Sequence, residues 1–183
     1  MQKNPVNEHF FDEESKEMLY VLGVSFSRYI PSKKDNRNSW TSSSYDLLSI
    51  IQKCLDSNQA IGEPNKWGGR LFQVRSQYLQ DKLGELGLSV KRSERTFPDN
   101  VKEQYLGHFI RGFFDGNVSV STDNFTSISY PSVRFLQDIY LELVSHAGIK
   151  PGRPVIKSPF NLSRNDTSKA HNFIYQDWEY REL

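Results

Sequence analysis

Asp115 stands in the phrase HFIRGFFDGNVSVS (residues 108–121), where an apolar helical pattern with Gly112 inside it gives way to strand-like alternation. A carboxylate at such a turn can ligate a divalent metal, but metal-assisted hydrolysis needs a second acid converging on it. The sequence does not reveal where that acid would come from. The other residues with chemical capacity are basic. Lys33, Lys34, Arg37, Lys66, Arg70 and Arg75 lie in two segments of strand-and-turn character, and Arg153, Lys157, Arg164 and Lys169 lie in a third. Arginine reads guanine edges with a bidentate fork and lysine mainly meets phosphates, so these ten form a candidate DNA-contacting set. His9, His108, His146 and His171 show no metal-ligand spacing with the single cysteine. Cys54, inside LLSIIQKCL, reads as a buried structural thiol. No P-loop or dinucleotide fingerprint appears; KWGGR is a turn without a following helix.

The net charge of +1 hides an uneven distribution. Residues 1–27 carry two basic and five acidic side chains, and residues 28–95 carry twelve and seven, a net +5. Residues 96–148 return to −3 and residues 149–176 reach +4. Two separated basic regions on a nearly neutral chain suit one cationic face, as a nucleic-acid backbone requires. A hydrophobic fraction of 37% supports a real core, and no run approaches the roughly 18 apolar residues of a membrane span. The polar, acidic start is unlike a signal peptide, and one cysteine forms no internal disulfide, so a cytoplasmic setting is expected.

The elements that must position these residues follow one plan twice. SKEMLYVLGVSFS (15–27) and KEQYLGHFIRGFFDG (102–116) are apolar helical stretches enclosing Gly23 and Gly112. Ser44 follows the first glycine by 21 residues and Ser132 follows the second by 20, each opening a further helix by capping. Between them lie segments expected to form hairpins, with turns at Lys33–Asn38 and at Thr122-Asp123-Asn124. A second hairpin is expected after each internal helix, turning near Asn65-Lys66 in one half and spanning residues 152–176 in the other. A third helix stops at Gly87, SVKRSERTFPDNV links the halves, and DWEYREL reads as the start of a matching last helix cut short. The expected fold is α+β, two αββαββα repeats at residues 1–95 and 96–183, with helices on one face of antiparallel sheets. Trp40, Trp67 and Trp178 are open between core and sheet-surface roles.

A glycine inside a helix costs about 0.5–1 kcal/mol relative to alanine and persists where another backbone must approach closely. Two such helices suggest that Gly23 and Gly112 pack together between the halves. YVLGVSFSRYI and HFIRGFFDGN, with the opening HFFDEESKEMLYVLG, resemble the paired signature helices of the LAGLIDADG homing endonuclease family in its single-chain, two-motif form. The resemblance covers nearly the whole chain. It implies motif helices crossing at a pseudo-twofold axis, curved sheets forming a saddle over a DNA major groove, and an intron- or intein-associated origin. It also implies a monomer bound to double-stranded DNA. In active members an acid five residues beyond each interface glycine binds divalent metal, Mg²⁺, for phosphodiester cleavage.

The chain departs from that pattern at both acid positions. Five residues past Gly23 is Arg28, and five past Gly112 is Asn117. Asp115 matches an acidic position two residues earlier. Making it the metal ligand would put Ile110 at the helix contact. Arg28 cannot ligate Mg²⁺ and Asn117 is a weak ligand. The expectation is therefore a LAGLIDADG-like, duplex-DNA-binding protein with lost or impaired cleavage and no cofactor. The alternatives are an active Mg²⁺-dependent site-specific endonuclease using Asp115, and a maturase-like RNA-binding module.

Overall fold

Ser15 starts the first helix by accepting a hydrogen bond from Met18 N at 3.0 Å, which satisfies one of the free donors of the first turn. The resulting α1, Lys16–Arg28, is buried around its whole circumference from Met18 to Ser27. The computed structural model describes residues 5–99, 101–117, 119–120, 126–151 and 159–175. Within them the chain continues through β1 (Tyr29–Ser32), β2 (Arg37–Ser42), α2 (Tyr45–Cys54), β3 (Arg70–Arg75) and α3 (Gln77–Glu85). A single 3-10 turn, Arg92–Glu94, leads into α4 (Glu103–Asn117), β4 (Ser119–Val120), β5 (Thr126–Ile128), α5 (Val133–Ala147), β6 (Phe160–Leu162) and α6 (Arg164–Tyr175).

Serine caps recur for the reason read from the sequence. Ser44, Ser76 and Ser132 accept from the backbone N–H three residues on and open α2, α3 and α5. Gly148 closes α5 with φ of 64°, a left-handed conformation suited to a residue without a Cβ. The strands form two antiparallel sheets, ordered β1-β2-β3 and β4-β5-β6. In the first, Tyr29 faces Trp40 and Trp40 faces Phe72, and all three are buried beneath α1, α2 and α3. Alternation then puts Ile30, Ser32, Arg37, Ser39, Thr41, Leu71, Gln73 and Arg75 on the opposite face.

Among the described residues the order α-β-β-α-β-α occurs twice, one strand short of the expected αββαββα in each half. In the first half the expected second hairpin has one formal strand. Its turn is real, with Asn65 N donating to Gly69 O at 2.8 Å and Asn65 Oδ1 accepting from Trp67 N and Gly69 N. The incoming arm touches β3 through Gly62 N to Leu71 O, and Pro64, which has no N–H, interrupts a ladder there. In the second half the missing partner and the turn at Thr122-Asp123-Asn124 lie outside the described residues, although β4 and β5 pair as that hairpin requires.

Two further expectations are corrected. Asp115-Gly116-Asn117 is not a turn after α4 but its last helical residues. The last helix of the second half is α6, formed by residues assigned to a long polar hairpin loop. Ser163 Oγ accepts from Asp166 N at 3.2 Å, and Ala170 and Ile174, four residues apart, give α6 a buried face. Short polar residues masked that cap-and-stripe pattern. DWEYREL and Trp178 lie outside the described residues.

α1 and α4 make the most extensive contact between any two elements. A Cβ on Gly112 would collide with Tyr20 O, with Tyr20 C at 2.9 Å and Val24 N at 3.0 Å. A Cβ on Gly23 would collide with Phe109 O, with Phe113 N at 2.8 Å. Each glycine thus receives the backbone of the other helix. Around the crossing Phe26 stacks on Phe135 with centroids 4.7 Å apart, and Phe113 meets Tyr130 edge-on at 5.4 Å.

Candidate nucleic-acid interface

Two places matter: the uncovered face of β1-β2-β3, and the point where α1 and α4 end. On the sheet, Arg37 and Arg75 are direct cross-strand partners. Like charges placed opposite one another destabilise an antiparallel pair. Asp35 moderates the repulsion, its Oδ2 lying 2.5 Å from Arg37 Nε. Ser32 Oγ, donating to Asp35 at 2.6 Å, holds that carboxyl below its ordinary range, with Arg37 and Arg75 adding to the effect. Lys33 and Lys34 are exposed in the adjoining turn, so four cations share one end of the sheet. Gln73 Nε2 donates to Ser39 Oγ at 2.9 Å mid-face, flanked by the exposed Ile30 and Leu71.

The opposite end of the sheet carries the Asn65 turn. Lys66 Nζ sits 4.2 Å above the ring of Trp67, which is 80% exposed. Arg70 has the parity of buried Phe72 and leaves the outer face. Its guanidinium reaches Gly62 O at 3.3 Å and lies 5.6 Å over Tyr45. Trp40 is core, donating its indole N–H to Ser25 Oγ at 2.8 Å. Arg164 and Lys169 fall on α6 instead of a hairpin, and Lys169 Nζ donates to Gly148 O at 2.7 Å behind α5. Arg153 and Lys157 lie outside the described residues. Cys54 is half-buried, and burial pushes its thiol up to about 11, as an inert core cysteine requires.

The helix ends hold the three residues singled out by spacing. Arg28 closes α1, and its Cγ lies 3.5 Å from where a Cβ on Gly116 would be, so its stem crosses the end of α4. Asn117 Nδ2 donates to Ser129 O at 2.6 Å. Asp115 turns elsewhere. It accepts from Tyr20 Oη at 2.9 Å and Tyr175 Oη at 2.8 Å, and pairs with Arg111 Nε at 3.4 Å. Arg111 is fully buried, its guanidinium 4.6 Å from the Tyr175 ring centroid. These donors do not suit a divalent cation. One guanidinium and one amide replace the two acids, the remaining carboxylate is engaged on both oxygens, and no group of three metal-ligating side chains exists among the described residues. Neutralising a carboxylate that accepts two hydroxyl hydrogen bonds and faces a buried guanidinium weakens all three charge-assisted contacts. Asp115→Asn should therefore cost about 3 kcal/mol in chemical denaturation. An unchanged midpoint would mean that Asp115 does not hold Arg111.

Sequence reasoning missed the residues that grip the end of α1. Arg95 is buried and donates Nη1 to Phe26 O at 2.5 Å, Nη2 to Tyr29 O at 2.8 Å and Nε to Ser89 O at 3.0 Å. Tyr130 Oη donates to Phe26 O at 2.7 Å, and Arg92 Nη2 donates to Ser27 O. A further close approach was legible: Ser27 and Gly116 each lie four residues beyond an interface glycine. A Cβ on Gly116 would stand 2.8 Å from Ser27 Cβ. Ser27 Oγ also donates to Phe113 O at 3.1 Å.

No family model matches the chain, and no curated protein matches it. Among solved structures it is similar to the N-terminal LAGLIDADG domain of DUF199/WhiA, with a TM-score of 0.59. The match covers 96% of this chain and 91% of that one at 14% identity. No helix among the described residues is long and apolar enough to cross a membrane. The six α-helices and two small antiparallel sheets among the described residues, with this likeness, give the chain a LAGLIDADG-like fold.

Proposed function

We propose that this chain binds double-stranded DNA across the major groove with its sheet faces and does not cleave it. Residues 1–95 and 96–183 act as two pseudo-twofold-related units of one monomer, in a cytoplasmic setting. The observation that carries the reading is the outer face of β1-β2-β3, where Arg37 and Arg75 oppose one another beside Lys33 and Lys34. That concentration of like charge is unfavourable in the free protein and becomes favourable against phosphates. Loss of cleavage is supported by the donor set at the helix ends, where Arg28 and Asn117 stand at the acid positions and Asp115 is bound to Tyr20, Tyr175 and Arg111.

Duplex binding should be roughly micromolar or tighter near 50 mM salt and should weaken linearly in log–log form, by about 0.9 per phosphate contacted. Fluorescence anisotropy with a labelled duplex across a salt series measures both quantities. Affinity no greater than that of an unrelated neutral protein would sink the proposal, as would clear preference for structured RNA in competition. Incubation of duplex with Mg²⁺ or Mn²⁺ should leave it intact.

A further inference from the structure

We infer that Arg28 and Arg92 form a clamp for a backbone phosphate of duplex DNA at the meeting point of the α1 and α4 C-termini, in place of metal ions. The inference rests on the DNA-binding reading above. Arg28 is half-buried, and its Nε is shielded from solvent with no hydrogen-bond partner among the described residues. Such a donor loses its hydration and gains nothing in the free protein.

The usual service of a C-terminal arginine, covering the last carbonyls of its helix, is performed by others. Ser25 O accepts from Tyr29 N, Phe26 O from Arg95 and Tyr130, and Ser27 O from Arg92. Arg28 is therefore free of that duty. Its charged neighbour is Arg92, of like sign, and burial and Arg92 together lower its proton affinity. Asp115 is held by Tyr20, Tyr175 and Arg111.

Arg92 is fixed at one nitrogen by Ser27 O and lies 5.6 Å from the Tyr130 ring centroid, which sets the direction of its guanidinium while the residue stays exposed. Two neighbouring guanidiniums with no carboxylate paired to either among the described residues call for an anion, and arginine's planar fork matches phosphate oxygens. The location suits DNA because α1 runs directly into β1, so Arg28 sits at the edge of the sheet that bears Arg37 and Arg75.

The test measures the salt dependence of duplex binding for the full chain and for Arg28→Gln, Arg28→Lys and Arg28→Gln/Arg92→Gln, with thermal melting of each. The double variant should reduce the slope of log K against log salt by about 0.9, the value for one phosphate, Arg28→Gln alone should take a measurable part of that loss, and Arg28→Lys should restore most of it. Melting of Arg28→Gln should stay level or rise, because a desolvated like charge is removed. An unchanged slope with the fold intact overturns the clamp and leaves DNA binding standing. A slope lost equally in Arg28→Lys, or lost together with thermal stability, assigns Arg28 a structural role and overturns the clamp. Failure of the wild-type chain to bind duplex overturns both readings.

Discussion

Gly112→Ala is expected to destabilise the protein by at least about 3 kcal/mol, a large part of a total stability on the order of 5–15 kcal/mol. In an exposed helix the same change stabilises by about 0.5–1 kcal/mol, because alanine is the better helix former. At Gly112 the added methyl would occupy the space of Tyr20 O, and that oxygen belongs to the backbone of a helix buried on every side. Overpacking is tolerated when a side chain can swing away, and here none is in the way. α1 would have to move bodily, opening the Phe26, Phe109, Phe113 and Phe135 cluster. Gly84→Ala is the internal control. Gly84 is exposed on α3, with nothing within 4 Å of its would-be Cβ, and the substitution should raise stability. Urea denaturation of both variants separates close approach from helix propensity. Equal small gains would show that α1 and α4 do not cross as described.

Arg95→Ala is expected to cost about 3–5 kcal/mol, near 10 °C in melting temperature for a chain of this size. Arg95 carries its charge into the interior without a carboxylate partner among the described residues. What compensates it is the negative end of α1, presented as the carbonyls of Phe26 and Tyr29. It also joins the halves: Tyr130 Oη shares Phe26 O with it, and Arg95 O accepts from Ser132 Oγ, the residue that caps α5. Truncation leaves a cavity and removes charge-assisted hydrogen bonds together. Arg95→Met, which keeps the stem and loses the donors, should fall between wild type and Arg95→Ala. If the two variants melt alike, the hydrogen bonds contribute little and packing carries the effect.

What the sequence made legible and what it concealed divide along physical lines. The glycine helices, serine caps and the Gly148 stop were readable because each depends on one residue type at one backbone position. The sheet face of Arg37 and Arg75 was readable only as a basic cluster. Choosing between faces needed the register, and the register removed Arg70. α6 was lost in SRNDTSKAHN because its buried stripe consists of Ala170 and Ile174 alone. Arg92 and Arg95 were read only as part of SVKRSERTFPDNV, the link between the halves. Nothing local distinguishes an arginine that reaches helix carbonyls from one facing water, since the partners lie far away in sequence. The Arg28 and Asn117 departures were visible by counting from the glycines. The engagement of Asp115 by Tyr20 and Tyr175 was not.

The zero clearance between α1 and α4 also has a kinetic consequence. Its hydrogen bonds join residues 86 and 95 positions apart, Ser27 to Phe113 and Tyr20 to Asp115. A large loop must close before either helix finds its most extensive partner surface. Each half packs part of its core against the motif helix of the other. The two halves are therefore expected to melt in a single cooperative transition, with coincident curves from far-UV circular dichroism and tryptophan fluorescence.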